Sequence, residues 1–243
     1  MPGSFRVVSH SLTDVGLVRR RNEDAFLDRP DLGLWAVADG MGGHQAGDYA
    51  SSAVITALRN LAQGVGLDDR LRLAIEALTA VDAELRARAA ALGPEIAIAS
   101  TVVALFAGGM EAACLWAGDS RCYQWRDGAL RQLTVDHSLV QELIDAGVLH
   151  PEQAANHPHA HVVTRAVGAG ELGFGTVCEA LRAGDRFLLC SDGLTNMVGD
   201  DEIAHALAGV SPREITERLR DLVLQRGARD NVTIVVVDAQ VED

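Results

Sequence analysis

The sequence predicts an α+β protein: a four-layer α-β-β-α sandwich in which two central antiparallel sheets are flanked by helix pairs. Three observations predict this fold. Short apolar runs typical of strands occur in two groups, two helical segments separate the groups, and two further helices precede a final strand. Two sheets covered by two helical layers bury every apolar face that this order creates.

The first half of the chain is expected to contain strands followed by two helices. Alternating or continuous apolar runs predict three strands, at residues 5–11, 25–28 and 34–39. Helical spacing predicts helices at residues 46–61 and 67–92, and Asp68 is expected to cap the second one. Both helices are expected to cover one face of a sheet.

The second half returns to strands, and a histidine-rich segment interrupts it. Strands are expected at residues 99–106, 111–117, 121–126 and 129–133, with Asp127-Gly128 as a hairpin turn. Residues 134–170 contain five histidines whose spacing matches no zinc motif, so we expect an irregular insertion that covers a cleft. The remaining elements are a strand at 185–190, helices at 200–208 and 212–225, and a strand at 232–237.

Composition narrows the possible functions. The 243 residues suit one domain, residues 1–243, and the net charge of −13 argues against nucleic acid and anionic membranes as partners. The chain contains no lysine, which excludes lysine Schiff-base chemistry and a Walker-type phosphate loop. We expect no signal peptide and no membrane span, and the four scattered cysteines suggest buried, reduced thiols in a cytoplasmic protein.

Aspartates stand at the ends of several predicted strands. Asp39, Asp119 and Asp192 end apolar runs beside a glycine, and Asp230 precedes the last strand. Any one Asp-Gly pair is most simply a turn, but the recurrence places four carboxylates at strand edges that converge if the strands lie side by side. Converging carboxylates repel one another unless a cation lies between them.

The candidate ligands are all oxygens, which favours Mg²⁺ or Mn²⁺. Besides the four aspartates they include the Gly40 carbonyl, with Glu23 or Asp24 nearby. A carboxylate that bridges two ions would make a two-metal hydrolytic centre, and Arg19 could bind phosphate oxygens. A phosphate ester is therefore the best-suited substrate.

An ordered set of motifs resembles the metal-dependent protein phosphatases of the 2C type, the PPM family, in their bacterial form. The motifs run in family order from about residue 5 to residue 238. They are Arg19-x-x-Asn22-Glu23-Asp24, Ala38-Asp39-Gly40-Met41-Gly42-Gly43-His44, Ser100-Thr101, Gly118-Asp119-Ser120-Arg121, Leu133-Thr134-x-Asp136-His137-Ser138, His157-Pro158, Arg165-Ala166-x-Gly168, Cys190-Ser191-Asp192-Gly193-Leu194 and Asp230-Asn231-Val232-Thr233.

The resemblance implies the sandwich fold and a role for each candidate residue. Asp39 would bridge two core ions, Asp192 and Asp230 would hold one, and the Gly40 carbonyl would hold the other. Glu23 and Asp24 would act through metal-bound waters, and Asp119 with Asp192 would hold a third ion. Arg19 would bind the phosphate, a metal-bridging water or hydroxide would attack it, and residues 134–170 would form the family's flap.

One position departs from many eukaryotic members of the family. There a histidine directly follows the Asp-Gly pair and is a proposed general acid, whereas this chain has Met41. His44 is the alternative proton donor in this chain, and a metal-bound water is its competitor.

The predicted function is hydrolysis of phosphoserine and phosphothreonine in proteins, with a Hanks-type Ser/Thr kinase and its targets as partners and the enzyme acting as a monomer. Two alternatives stay open: a phosphatase-fold switch protein of the transcription or sporulation type, and an inactive module that binds phosphoproteins. The intact Arg19-to-Asp24 motif argues against the first, and intact Asp39, Asp192 and Asp230 argue against the second. The segment 34–44 also resembles phosphatases that oppose the kinase controlling type VI secretion.

Overall fold

The computed structural model describes residues 5–42, 46–154 and 157–241. One sheet contains, in spatial order, β1 (Phe5–Asp14), β13 (Val232–Val241), β12 (Arg186–Cys190), β7 (Arg121–Arg126) and β8 (Ala129–Gln132). The second sheet contains β11 (Gly175–Ala180), β6 (Glu111–Ala117), β5 (Val102–Gly108), β3 (Leu34–Gly42) and β2 (Asp24–Arg29). All these pairings are antiparallel.

Two short pairings lie at the edge of this framework. β4 (Ile98–Ser100) pairs with the end of β3, with Gly40 opposite Ser100. β9 (Arg165–Ala166) and β10 (Ala169–Gly170) form a small hairpin of their own. An isolated bridge between Ser100 and Val167 joins this hairpin to β4.

Helices cover the outer face of each sheet. α1 (Ala46–Arg59) and α2 (Leu67–Leu92) pack on the sheet that contains β3. On the other sheet lie α5 (Asp192–Thr195), α6 (Asp200–Leu207) and α7 (Pro212–Gln225). The histidine-rich segment contains α3 (Leu139–Asp145) and α4 (Pro151–Ala154).

Three apolar clusters confirm the four-layer sandwich. One lies between α1–α2 and their sheet, one lies between α5–α7 and theirs, and the third fills the space between the sheets. The third contains Trp35, Val103, Phe187 and Val235, all at most 2% exposed. The strands that carry the candidate aspartates are therefore packed on both faces.

The boundaries differ from the prediction where a pattern is too short to read. The strand expected at 99–106 is two strands divided at Thr101, and β9, β10 and β11 were not predicted. The prediction that Asp68 caps α2 is wrong, because Gly66 occupies the N-cap position and Asp68 lies in the first turn.

All four cysteines are free, as predicted, but one of them is not buried. Cys178 is exposed because β11 is an edge strand of its sheet. Among the helices of the described ranges, none has the length and apolar character that crossing a bilayer requires.

Candidate metal centre

The aspartates predicted at strand ends meet at one end of the sandwich. Asp39 on β3 lies opposite Asp24 on β2 in the antiparallel register. Burial raises the pKa of Asp39 well above its ordinary value, and the negative charges of four other carboxyls raise it further: Asp24, Asp192, Asp119 and Asp230. The five carboxyls come from separate parts of the chain and lie near enough to one another to interact at this end of the sandwich.

The backbone of Asp39 is fixed by a residue of the neighbouring chain segment. Its amide donates to the Thr101 hydroxyl at 3.0 Å, and its carbonyl accepts from the Thr101 amide at 2.9 Å. The Thr101 hydroxyl lies 2.7 Å from that of Ser120, which follows Asp119. The break between β4 and β5 at Thr101 therefore serves to hold two of the acidic positions.

Asp24 links the two sheets through its side chain. Its Oδ2 accepts hydrogen bonds from Ser191 at 2.8 Å and Thr233 at 2.7 Å, both on the opposite sheet's side of the cleft. Burial raises the pKa of Asp24 to about 6, although those two hydrogen bonds lower it. Its Oδ1 is buried and has no hydrogen-bond partner.

Asp192 begins α5 and lies close to the loop that carries Asp230. Burial, followed by the charge of Asp230, raises the pKa of Asp192, and hydrogen bonds with Asn196 and Asp39 lower it. The close approach depends on Gly193, because a Cβ there would lie 1.9 Å from the carbonyl oxygen of Asn231. Only glycine permits this contact.

Asp119 lies in the turn between β6 and β7. Burial raises its pKa to about 7, and the charges of Asp192 and Asp136 raise it as well. Arg121 partly offsets this effect. Asp119 thus belongs to the same cluster, and the charge of Asp192 acts on it more than that of Asp136 does.

Glu23 and Gly40 pack behind the cluster. The Gly40 amide donates to the Glu23 carbonyl at 3.1 Å. Burial raises the pKa of the Glu23 carboxyl, whereas Arg19 and a hydrogen bond from the Gly47 amide lower it. Both predicted residues therefore lie at the centre, at the junction of β2, β3 and the start of α1.

Arg19 is at the rim of the cleft and is half exposed. Its guanidinium donates to Asp230 Oδ2 at 2.7 Å, with side-chain exposures of 53% and 38%. Asp230 Oδ1 accepts from the Asn231 amide. The predicted phosphate-binding arginine is thus placed beside the acidic cluster by one of the predicted metal ligands.

The residues present fit one or more hard divalent cations. The clustered acidic groups are carboxylates, whose oxygens such ions prefer, and the buried Asp24 Oδ1 has no hydrogen-bond partner. Within the described ranges, no three acidic, histidine or cysteine side chains form a closed ligand set around one point. An ion held here would need backbone carbonyl oxygens and water to complete its coordination.

The outcome for the two histidine predictions differs. His44 lies outside the described residues, as does Gly43. In the segment 134–170, His161 is close enough to Asp192 to lower the pKa of that carboxyl.

Several polar residues that build the centre had no role in the prediction from the sequence. Asn231 accepts from the Glu23 amide and donates to the carbonyls of Val15 and Arg21, so it fixes the loop that presents Arg19. Ser191 and Thr233 hold Asp24. Their signal in the sequence was adjacency, since each lies within three residues of Asp192 or Asp230.

Comparison with known proteins gives a consistent picture. The family model described as protein phosphatase 2C matches residues 18–225. The serine/threonine protein phosphatase PstP of Mycobacterium tuberculosis is 39% identical over 233 residues, which cover 93% of this chain and 44% of that protein. The chain therefore spans less than half the length of this mycobacterial relative.

Solved structures match over nearly the whole chain. PppA of Pseudomonas aeruginosa, described as a key regulatory component of T6SS, has a TM-score of 0.90 and 43% identity, covering 98% of this chain and 99% of that one. The catalytic domain of PstP in complex with two manganese ions has a TM-score of 0.85 and 36% identity, covering 98% and 100%.

Proposed function

This chain belongs to the protein phosphatase 2C family, and on that premise we propose that it hydrolyses phosphoserine and phosphothreonine in proteins with divalent cations as cofactors. Mn²⁺ and Mg²⁺ are the candidate ions, because the centre offers only oxygen ligands and the related PstP domain holds two manganese ions. When bound, the cations supply a nucleophilic water at neutral pH and neutralise charge on the phosphoryl oxygens.

The chain's own residues divide the remaining work. Asp39, Asp192 and Asp230 would hold the core ions together with the Gly40 carbonyl, while Glu23 and Asp24 would orient water around them. Asp119 with Asp192 would hold a third ion. Arg19 would bind two phosphoryl oxygens, because a guanidinium fits a phosphate in a bidentate manner.

One observation carries this proposal above the others. The Asp39 carboxyl is buried among four other carboxyls contributed by separate parts of the chain. Such a cluster costs stability unless a cation is bound, and a chain that needed only to bind a phosphoprotein would gain nothing from it. The cluster therefore favours a catalytic metal centre over an inactive binding module.

Turnover of p-nitrophenyl phosphate tests the proposal. The purified protein should release nitrophenol in the presence of Mn²⁺, and this release should stop when a chelator removes the ion. Asp39→Asn should lose most of this activity, because it removes the shared ligand. Asp28→Asn is the matched control, since Asp28 lies on β2 outside the acidic cluster. Absence of turnover together with tight binding of a phosphoprotein would instead support the binding module.

Arg19 is tested by a charge-preserving change. Arg19→Lys should raise the KM for phosphopeptide, because an ammonium group cannot form the bidentate contact. Arg20→Lys is the control, since Arg20 is an exposed neighbour in the same loop. Equal KM values for the two variants would remove Arg19 from the phosphate site.

His44 is proposed as the proton donor to the leaving seryl or threonyl oxygen. Nitrophenolate is a good leaving group and needs little protonation, whereas an alkoxide needs a proton. His44→Asn should therefore slow hydrolysis of a phosphothreonine peptide more than that of p-nitrophenyl phosphate. Equal slowing of both would assign the proton to a metal-bound water.

We also propose that residues 1–243 form one phosphatase domain in which residues 134–170 act as a flap over the cleft. Two contacts near residue 134 support this role: Trp116 donates to the Val135 carbonyl at 2.8 Å, and Arg121 forms an ion pair with Asp136 at 2.7 Å. His161 reaches the neighbourhood of Asp192 from the same segment. The flap would thus contact substrates beside the acidic cluster.

The proposed partners are proteins phosphorylated by a Hanks-type Ser/Thr kinase, and the enzyme is proposed to act as a cytoplasmic monomer whose thiols stay reduced. The similarity to PppA makes components of type VI secretion the first substrates to examine. Deletion of the gene should raise threonine phosphorylation of the kinase and its targets in a phosphoproteome. Unchanged threonine phosphorylation would contradict this assignment.

A further inference from the structure

Asp82 is an acidic residue in the middle of the apolar face of α2. The buried residues of this helix recur at helical spacing, and Asp82 falls among them beside Val81, between Leu78 and Leu85. Only 8% of Asp82 is exposed. A carboxylate in such a place costs free energy unless its oxygens are well paired, so its partners indicate what it is for.

Asp82 binds the hairpin that ends the histidine-rich segment. Its Oδ1 accepts from the buried amide of Gly168 at 2.7 Å. Its Oδ2 accepts from Arg86 Nε at 2.7 Å, and the same guanidinium donates to the Gly170 carbonyl at 2.8 Å. Both ends of the Gly168–Gly170 turn are thereby tied to α2.

The hairpin continues this connection into the strand next to the metal centre. Val167 and Ser100 exchange two backbone hydrogen bonds, each of 2.9 Å. The Ser100 hydroxyl lies 2.8 Å from the Thr101 carbonyl oxygen and 3.1 Å from the Asp39 carbonyl oxygen, and the adjacent Thr101 amide donates to the Asp39 carbonyl at 2.9 Å. A chain of hydrogen bonds therefore runs from Asp82 through Val167 and Ser100 to Asp39.

Gly168 occupies the most sterically restricted position in this connection. Its φ is +99°, and a Cβ there would lie 2.2 Å from the Ile98 carbonyl oxygen. The turn is thus pressed against β4 in a conformation that glycine alone adopts readily. The hydrogen bond from its amide to Asp82 holds it there.

The geometry points to Asp82, with Arg86, as a positioning residue for the metal strand: it fixes the base of the flap segment against β4 and thereby sets the position of Asp39. This role rests on the proposed function, because it concerns the same cleft. Asp82 itself would contact neither substrate nor cation. A second part of α2 offers a direct comparison. Arg72 and Glu76 form an ion pair of the same spacing that is exposed to solvent.

Asp82→Asn is the informative change. The amide can accept from Gly168 only if its NH₂ group faces Arg86, which places two donors against each other. In metal-free protein, the Gly168 and Ser100 amides should exchange with solvent at least about tenfold faster, while amides of the β1–β13 ladder keep their wild-type rates. The Kd for Mn²⁺, measured by titration calorimetry, should rise about five- to tenfold. Glu76→Gln is the control and should change none of these.

A double variant separates positioning from general destabilisation. Asp82→Asn with Arg86→Gln restores a neutral hydrogen-bonded pair, so it should recover most of the Mn²⁺ affinity and the slow exchange of Ser100. If Asp82→Asn does not fold, Arg86→Gln alone should show the same changes to a smaller extent. Wild-type Mn²⁺ affinity in the Asp82 variant, or faster exchange in all strands equally, would overturn the inference. Failure of the proposed function is distinct, because the wild-type protein itself would then bind no Mn²⁺.

Discussion

Metal-free protein should lose stability as the pH rises from about 4 to about 6, and the Asp24 carboxyl should account for a defined part of that loss. Burial raises the folded-state pKa of this group to about 6 from an ordinary value of 3.8. Between these values the folded state holds a proton that the unfolded state has released. The contribution of Asp24 to the stability of the folded protein is therefore complete at low pH and disappears as the pH rises through the folded-state pKa.

The size of the effect follows from the same two values. Each pKa unit corresponds to about 1.4 kcal/mol, so the rise from 3.8 to about 6 corresponds to about 3 kcal/mol of unfolding free energy across this window. Asp24→Asn cannot ionise, yet its amide oxygen can still accept from Ser191 and Thr233. The variant should therefore lack about this part of the pH dependence.

Urea unfolding with a chelator present, repeated across the window, measures the difference. As the pH rises, the unfolding free energy of the wild-type protein should fall more steeply than that of Asp24→Asn. Asp28→Asn, on the same strand, should show the wild-type dependence. Added Mn²⁺ should restore stability at the upper end of this pH window, because a bound cation favours the ionised carboxyls. Parallel curves for wild type and Asp24→Asn would show that burial does not raise the pKa of Asp24 and would refute the described electrostatics.

Three further variants test the geometry of the centre. Asp39→Asn should abolish most of the rise in melting temperature that Mn²⁺ causes, and an equal rise in both proteins would place the ions elsewhere. Gly193→Ala must separate its segment from Asn231 by about 1 Å, which should cost about 1–3 kcal/mol in urea unfolding and about 100-fold in turnover; unchanged turnover would contradict the close approach. Asn231→Asp replaces two donated hydrogen bonds with an acceptor facing carbonyls, so hydrogen exchange should show a loosened loop at residues 15–23 and the phosphopeptide KM should rise. Wild-type exchange there would refute the anchoring role.

The strand-end aspartates could be predicted because each follows a run of buried apolar residues. Asp119 and Asp192 follow the ends of β6 and β12, as predicted, whereas β3 continues past Asp39 to Gly42, and Asp39 lies where its pairing changes from β5 to β4. The antiparallel order of the sheets brings these positions together. The family motifs added the roles. No periodic pattern marked the residues that hold them, because a hydroxyl such as Thr101 is an ordinary strand residue until its partner Asp39 is known.

Features that depend on distant contacts were beyond the sequence. The ion pair between Arg19 and Asp230 joins loops that only the folded sheets bring together. Asp82 belonged to a correctly predicted helix, but its burial depends on the β9–β10 hairpin, whose two-residue strands are too short to show any alternation. The single long strand expected at 99–106 failed for a related reason, since its interruption at Thr101 serves Asp39 rather than the sheet.

The ladder between β1 and β13 has a bearing on synthesis of the protein. Phe5 lies opposite Val241 and Asp14 opposite Val232. Strand β1 is therefore synthesised before all the other described strands but can form its hydrogen bonds in the sheet only after β13, the last of them, has been made. Asp230 stands just before that late strand. The growing chain thus cannot assemble the full acidic cluster until translation has passed β13.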